Sequence, residues 1–358
     1  MSTVPAQVTP RDSIIRHAQP RLGRSLLELC TSAVPYLALS VLSYRLLGVS
    51  PLLSLALVLP TTGFLLRTFI MFHDCTHGAM FRSRRGNAYI GSFLGLLVLA
   101  PFRRWRHDHA VHHATSGDLE RRGVGDVPTL TIDEYWARPW RGRLAYRAFR
   151  HPIVMFGVGP IVAMMIGPRL PTRDQRPQMR RSVIRTDIAL ALVIGGLCWW
   201  IGVGAFALIW APPALLAGSA GIWLFYVQHQ YEDAYWQHSE SWDYADAAIR
   251  GSSYLKLPRV LQFFTGNIGL HHVHHLNARI PNYNLQRAHD ECDVLHSVPV
   301  LSLGDGLRAV KLKLWDEDNA KLVTFAQARE SHNGVRFPII QAPARHEPAT
   351  AEAGSREL

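Results

Sequence analysis

Residues Ile188–Tyr231, IALALVIGGLCWWIGVGAFALIWAPPALLAGSAGIWLFYVQHQY, contain no Asp, Glu, Lys or Arg in 44 positions. A helical crossing of a bilayer needs roughly 20 apolar residues, so this stretch is long enough for two. Soluble core helices are rarely so apolar for so long. Ala211, Pro212 and Pro213 fall at its midpoint and predict a tight turn between helices at about 188–209 and 212–230. Further out, Leu29–Tyr44 and Leu46–Leu66 repeat the design, interrupted only by Arg45 beside the turn Gly48-Val49-Ser50-Pro51. They predict a second hairpin, with helices at about 27–47 and 51–72. Two weaker runs, Ala88–Phe102 and Pro152–Gly167, are short or broken by Pro160 and glycines, and read as interfacial or re-entrant.

Composition agrees with a membrane protein. Lys+Arg is 38 against 27 Asp+Glu, a net charge of +11. Alone, this balance admits either nucleic acid or an anionic membrane surface as partner. Only 18% of residues are charged, 48% are hydrophobic and 10 are Trp, whereas an average soluble domain is roughly 25% charged. The arginines of a nucleic-acid binder would lie on a soluble face without apolar hairpins, so that role is excluded. The 4 cysteines are isolated and form no disulfide framework. Residues 1–25 are polar and Arg-containing, without the apolar core of a signal peptide. The main domain is expected over 26–325, and residues 326–358 read as a largely disordered tail.

Histidine is unusually common, at 18 residues. Three clusters hold ten of them. His73 and His77 form an HxxxH at the end of the second apolar helix, where positions i and i+4 share one helical face. His109, His112 and His113 form an HxxHH, with His107 just ahead. His271, His274 and His275 repeat that frame, leaving His272 off the shared face. Three aligned clusters in one chain have no packing explanation and point to metal binding. Imidazole suits iron, zinc, copper and nickel. Eight imidazoles are too many for one tetrahedral zinc and suit two metals of higher coordination number. His229, which ends the charge-free stretch, is a ninth candidate.

All clusters must meet at one site, so all lie on one side of the bilayer. Were Ala88–Phe102 a full span, the first two clusters would be about 30 Å apart. Neither weak run therefore crosses, which leaves four spans with both termini on the cluster side. Arg82–Arg185 carries 19 Arg against 7 acidic residues, while the opposite side offers only Arg45. The positive-inside rule puts the clusters in the cytoplasm. The expected fold class is an all-α integral membrane protein: four transmembrane helices as two hairpins, interfacial helices and a cytoplasmic His-rich cap.

Carboxylates would orient the imidazoles and compensate the metal charge. Asp74 and Asp108 sit in or beside clusters; Asp118, Asp126, Glu232 and Asp233 are further candidates. HExxH, the Glu-x-x-His pattern of carboxylate-bridged metal pairs and a nucleophile elbow are all missing. A redox metal pair at a membrane surface suits O2 activation, because no side-chain acid or base removes hydrogen from an unactivated methylene. A tunnel would set the reacting position. Trp223, Tyr226, Tyr231, Trp236, Phe263 and Phe264 are aromatic candidates to line it, with interfacial packing as their simpler role. A metal transporter would need polar residues inside the spans, and Ile188–Val227 has almost none.

The set resembles the membrane-bound fatty acid desaturases with three histidine boxes. His73–Gly78 is similar to their first box. Trp105–Ser116 is similar to the second. Gly266-Asn267-Ile268-Gly269, His271–His275 and Pro281-Asn282-Tyr283-Asn284-Leu285 are similar to the third, which adds Asn267 to the candidates for supporting the ligands. Gly125-Asp126 with Glu134-Tyr135, and Phe225–His229, resemble the bacterial acyl-lipid branch with its Δ5 and Δ12/ω6 enzymes. The resemblance runs from about Leu26 to Trp315. It implies two non-haem irons, O2 as co-substrate, two electrons per double bond, and a cis double bond in a lipid-bound acyl chain. The ligands it implies are His73, His77, His109, His112, His113, His271, His274 and His275, with His229 as the isolated extra one. Neither a fused cytochrome b5 motif nor an iron–sulfur CxxC is present, so the implied donor is a separate ferredoxin or flavodoxin with its reductase. A basic cytoplasmic surface suits an acidic carrier. A lipid or alkane hydroxylase and a carotenoid oxygenase share similar boxes and are the rival readings.

Overall fold

Residues 10–172 and 175–333 are described in the computed structural model, and they are mostly helical. The first apolar run forms α1 (Leu22–Leu47). Pro51 then opens a short helix, Pro51–Ala56, at the first-turn position where its missing N–H costs nothing. After a break at Leu57 the chain continues as α2 (Val58–His77), antiparallel to α1 and packed on it. Gly78, at φ +72°, ends α2 one residue after His77; glycine takes this left-handed cap without a Cβ clash. α3 (Arg84–Leu97) and α4 (Phe102–Thr115) follow on either side of a reversal at Leu99. The 14 residues of α3 span about 21 Å, too short for a crossing.

The charge-free stretch forms most of α6 (Pro177–Ile201) and all of α7 (Val203–His229), but its turn differs from expectation. The reversal lies at Gly202, at φ +85° and ψ 144°, not at Ala211–Pro213. Pro212 and Pro213 lie inside α7. The two prolines remove two backbone donors, a loss that neighbouring helices let an intramembrane helix tolerate. Only glycine adopts the backbone seen at position 202 without strain. α6 also starts eleven residues before Ile188, with Arg180, Arg181 and Arg185 in its opening turns.

α1, α6 and α7 are each long and apolar enough to cross a membrane. A fourth candidate is a bent pair, α5 (Trp140–Phe149) with Val154–Arg169, at 59° to each other. α6 is almost bare: Leu192 is 73% exposed and Trp199, beside the Gly202 turn, 89%. Surfaces this apolar are stable against lipid, not water. α2 behaves differently. It packs against α1, α3 and α7, and its C-terminal half is buried around Arg67, His73 and Asp74. Arg67 pairs with Glu28 of α1, and Arg24 reaches the same carboxylate at 2.9 Å. Of the four expected spans, the one at 51–72 therefore lies on an interrupted, enclosed helix.

The Pro152–Gly167 run forms two π-helical turns, Val154–Val158 and Pro160–Ile166, laid against α7. Their contact is close: Pro160 fills the space where Gly218 has no side chain, and Ser219 Oγ donates to the Phe156 carbonyl at 2.5 Å. α8 (His271–Leu276) sits in a cap whose apolar core holds Leu270, Val273, Leu276, Ile280, Leu285 and Ile14. The cap is not all-α. Leu130–Thr131 pairs in parallel with Leu314–Asp316, which pairs antiparallel with Lys321–Val323; Tyr254–Leu255 pairs with Val300–Leu301. The start of the expected tail region is helical. Phe325–His332 is a helix with a Thr324–Gln327 capping box, and Trp136 stacks on His332 at 4.4 Å. The remainder of that tail, 334–358, and residues 1–9 lie outside the described residues.

Candidate metal centre

Four helices bring nine histidines together: α2 gives His73 and His77, α4 gives His109, His112 and His113, α7 gives His229, and α8 gives His271, His274 and His275. They separate into a group of five (His73, His77, His109, His113, His274) and a group of four (His112, His229, His271, His275), each with ligand nitrogens within 4.8 Å of one another. The groups cut across the sequence clusters. Adjacent residues on a helix point about 100° apart, so His112 and His113 serve different groups, as do His274 and His275.

In the five-membered group, His73 Nε2 is 2.9 Å from His109 Nε2 and 3.4 Å from His77 Nε2. His113 Nε2 is 3.2 Å from His109 Nε2 and 3.0 Å from His274 Nε2. In the four-membered group, His229 Nε2 is 3.2 Å from His112 Nε2 and 2.9 Å from His271 Nε2. Neighbouring nitrogens around a metal bonded at about 2.1 Å stand roughly this far apart. The outer nitrogens fix the tautomers. His229 Nδ1 donates to the Gly251 carbonyl at 3.0 Å, and His112 Nδ1 donates to Asp126. His73 Nδ1 faces Asp74 Oδ1 at 3.3 Å. With the proton on Nδ1, each Nε2 turns a lone pair inward. Facing lone pairs at 3.2 Å in a buried site repel unless a cation lies between them, so the residues fit a pair of metal ions. Neither group contains a carboxylate. Burial, reinforced by neighbouring imidazoles, holds His109, His113, His271, His274 and His275 well below the ordinary imidazole range, leaving them neutral.

The expected carboxylates divide. Asp74 also accepts the Asn282 N–H at 2.8 Å, and Asn267, held at φ +58°, donates from Nδ2 to the Asn282 carbonyl at 3.1 Å. Asp74, Asn267 and Asp126 thus brace the groups. Asp108 instead pairs with Arg104 and exposed His107. Asp118 binds Arg121 and Ser239, and Glu232 lies at the surface 3.8 Å from Lys321. Asp233 has no contact with either group. Buried His272 pairs with His289 at 3.1 Å, outside the centre.

A cavity of about 640 Å³ opens beside the histidines, and His73, His109 and His271 form part of its wall. Leu66, Phe69, Ile70, Met155, Val158 and Phe225 supply apolar surface. The aromatic candidates for a tunnel do not line it. Trp223 packs against Gly306, Phe263 and Phe264 pack on Phe64, and Tyr226 points to the far side of α7. Tyr231 and Trp236 belong to a core with Trp315. Among its aromatic walls, Phe225 lies against the His112 and His229 rings at 4.9 and 5.1 Å, and Trp105 lies 4.4 Å from His109. The i, i+4 relation to His229 was the available signal for Phe225, since it selects position 225 over 226.

The sequence profile of a family described as fatty acid desaturase matches residues 49–295. A protein named fatty acid desaturase from Bacillus subtilis is 44% identical over 321 residues, spanning 90% of this chain and 91% of its own length. The sn-1 oleoyl-lipid 12-desaturase of a Synechocystis strain is 26% identical over 286 residues, 78% of each chain. An sn-1 acyl-lipid omega-3 desaturase (ferredoxin) from the same organism is 24% identical over 241 residues, 62% of each.

Proposed function

The chain belongs to the fatty acid desaturase family, and from that premise we propose that it inserts a cis double bond into a lipid-bound acyl chain at a histidine-held di-iron centre. The enzyme is an oxidoreductase of the membrane. His73, His77, His109, His113 and His274 would hold one iron and His112, His229, His271 and His275 the other. Bound there, the irons supply the oxidising power of O2 that breaks an unactivated C–H bond. The overall change removes two hydrogens from adjacent methylenes, consumes O2, two electrons and two protons, and yields an alkene and two waters.

The observation carrying this reading is the apolar cavity whose wall includes histidines of both groups. An acyl chain in it lays methylenes against His73, His109 and His271, while Phe69, Ile70 and Phe225 exclude water and set the depth of entry. The π-helical turns supply the opposite wall through Met155 and Val158. Asp74 and Asp126 hold the proton on Nδ1 of His73 and His112, keeping both Nε2 atoms available to metal.

The proposed setting is the bacterial inner membrane, with four crossings and with histidines and termini on the cytoplasmic side, residues 26–325 forming the desaturase domain. The basic collar would receive a separate acidic donor, ferredoxin or flavodoxin with its reductase. The test is expression in a host without polyunsaturated lipids, followed by gas chromatography–mass spectrometry of derivatised fatty acids. A new alkene is expected; a hydroxylated product would overturn the reading.

A further inference from the structure

Near the four-histidine group lies a buried cation that hydrogen-bonds to none of the nine histidines. Arg150, directly after α5, is fully buried. Its Nη1 donates to the Pro128 carbonyl at 2.8 Å, Thr129 Oγ1 at 3.0 Å and Tyr146 Oη at 3.3 Å. Its Nη2 donates to Gln230 Oε1 at 3.0 Å, Tyr226 Oη at 3.2 Å and the Leu312 carbonyl at 3.3 Å. Every acceptor is neutral. Among the described residues no carboxylate forms an ion pair with it. A second cation, Lys313, is buried nearby with its Nζ unpartnered, 5.6 Å from the Tyr226 ring centre. A buried charge without a counter-ion is costly to keep, and packing alone would favour an apolar residue here.

What the guanidinium joins explains its presence. Pro128 and Thr129 follow Asp126, the partner of His112 Nδ1. Gln230 follows His229 at the end of α7, and Thr129 Oγ1 also donates to Gln230 Oε1 at 3.1 Å. The Asp126 loop and the His229 end of α7 are far apart in sequence, and the planar fork of Arg150 pins both. We propose that Arg150 is a positioning residue for the four-histidine metal site, holding Asp126 and His229 in register through Pro128, Thr129 and Gln230. A fork with fixed donor directions does this; a lysine's single point charge does not. The proposal rests on the di-iron reading above and adds a residue that its ligand set lacks.

The test is anaerobic Fe(II) titration of purified wild type, Arg150→Lys, Arg150→Met and Lys313→Met in lipid nanodiscs, with Mössbauer spectra to separate the two iron environments. Wild type should take up two irons per chain. Arg150→Lys and Arg150→Met should retain one at wild-type affinity and bind the second about 10–100-fold more weakly, the range for lost support of a ligand. Lys313→Met should keep both. Adding Asp126→Asn to Arg150→Lys should weaken the second iron by less than the product of the single effects, because both act on one site. Two irons at wild-type affinity in both Arg150 variants would overturn the proposal, as would equal loss of both irons, which marks a general folding role. A wild type that binds no iron would instead overturn the di-iron reading itself.

Discussion

The two histidine groups share α4 and α8, yet they are supported differently. The group of five is seated on α2, α4 and α8, and its brace, Asp74, lies on α2 itself. His77 and His113 are only partly buried, so this group approaches the surface. The group of four is fully buried, and its braces come from irregular chain: Asp126 from one loop and the Gly251 carbonyl from another. A site built on helices inherits their rigidity, whereas a site braced by loops must have the loops held. That difference sets what each substitution should reveal.

The largest effects should come from the ligands. His274→Ala and His112→Ala are each expected to abolish desaturation while preserving membrane insertion, and each should cost iron from its own group only. Wild-type product from either variant would remove that residue from the centre. Next come the braces. Asp126→Asn should weaken the four-membered site and Asp74→Asn the five-membered one, by about 10–100-fold in metal affinity. If both weakened the same iron, the division into two groups would fail. Phe225→Ala should shift the chain length or bond position of the product, and Tyr226→Ala should not, as read by fatty-acid profiling. Gly78→Ala should cost about 1–2 kcal/mol, seen as a lowered melting temperature, since alanine resists the left-handed conformation that ends α2 beside His77. Leu192→Ala, on the lipid-facing side of α6, should change stability by no more than about 0.5 kcal/mol.

The gathering of the nine histidines was legible because i, i+3 and i+4 spacing survives folding on a helix: α4 and α8 carry the two HxxHH frames. Their allotment to groups was not, because it depends on how four helices cross. The apolar hairpins were legible as charge-free length. The turn of the second was misplaced because proline is a strong breaker in water but is tolerated inside α7, while the unobtrusive Gly202 carries the reversal. Aromatic residues were poor guides to the cavity. A one-residue step on α7 separates Phe225, on its wall, from Tyr226, bonded to the cap. Asp126 and Asp74 face histidine Nδ1 atoms whereas Glu232 lies at the surface, a difference that depends on loops whose course no spacing encodes. Arg150 gave no signal at all, being one arginine among the 19 of the basic collar.

Each helix that supplies ligands stops just beyond them. α2 ends at His77, α7 at His229, α4 two residues after His113 and α8 one residue after His275. The peptide dipoles of a helix sum to roughly half a negative elementary charge at its C-terminus. Four such ends converge on a centre whose two histidine groups hold no carboxylate. The backbone thus offers any cation held there a partial negative field that no protonation can remove, and it does so without placing an anion among the histidines.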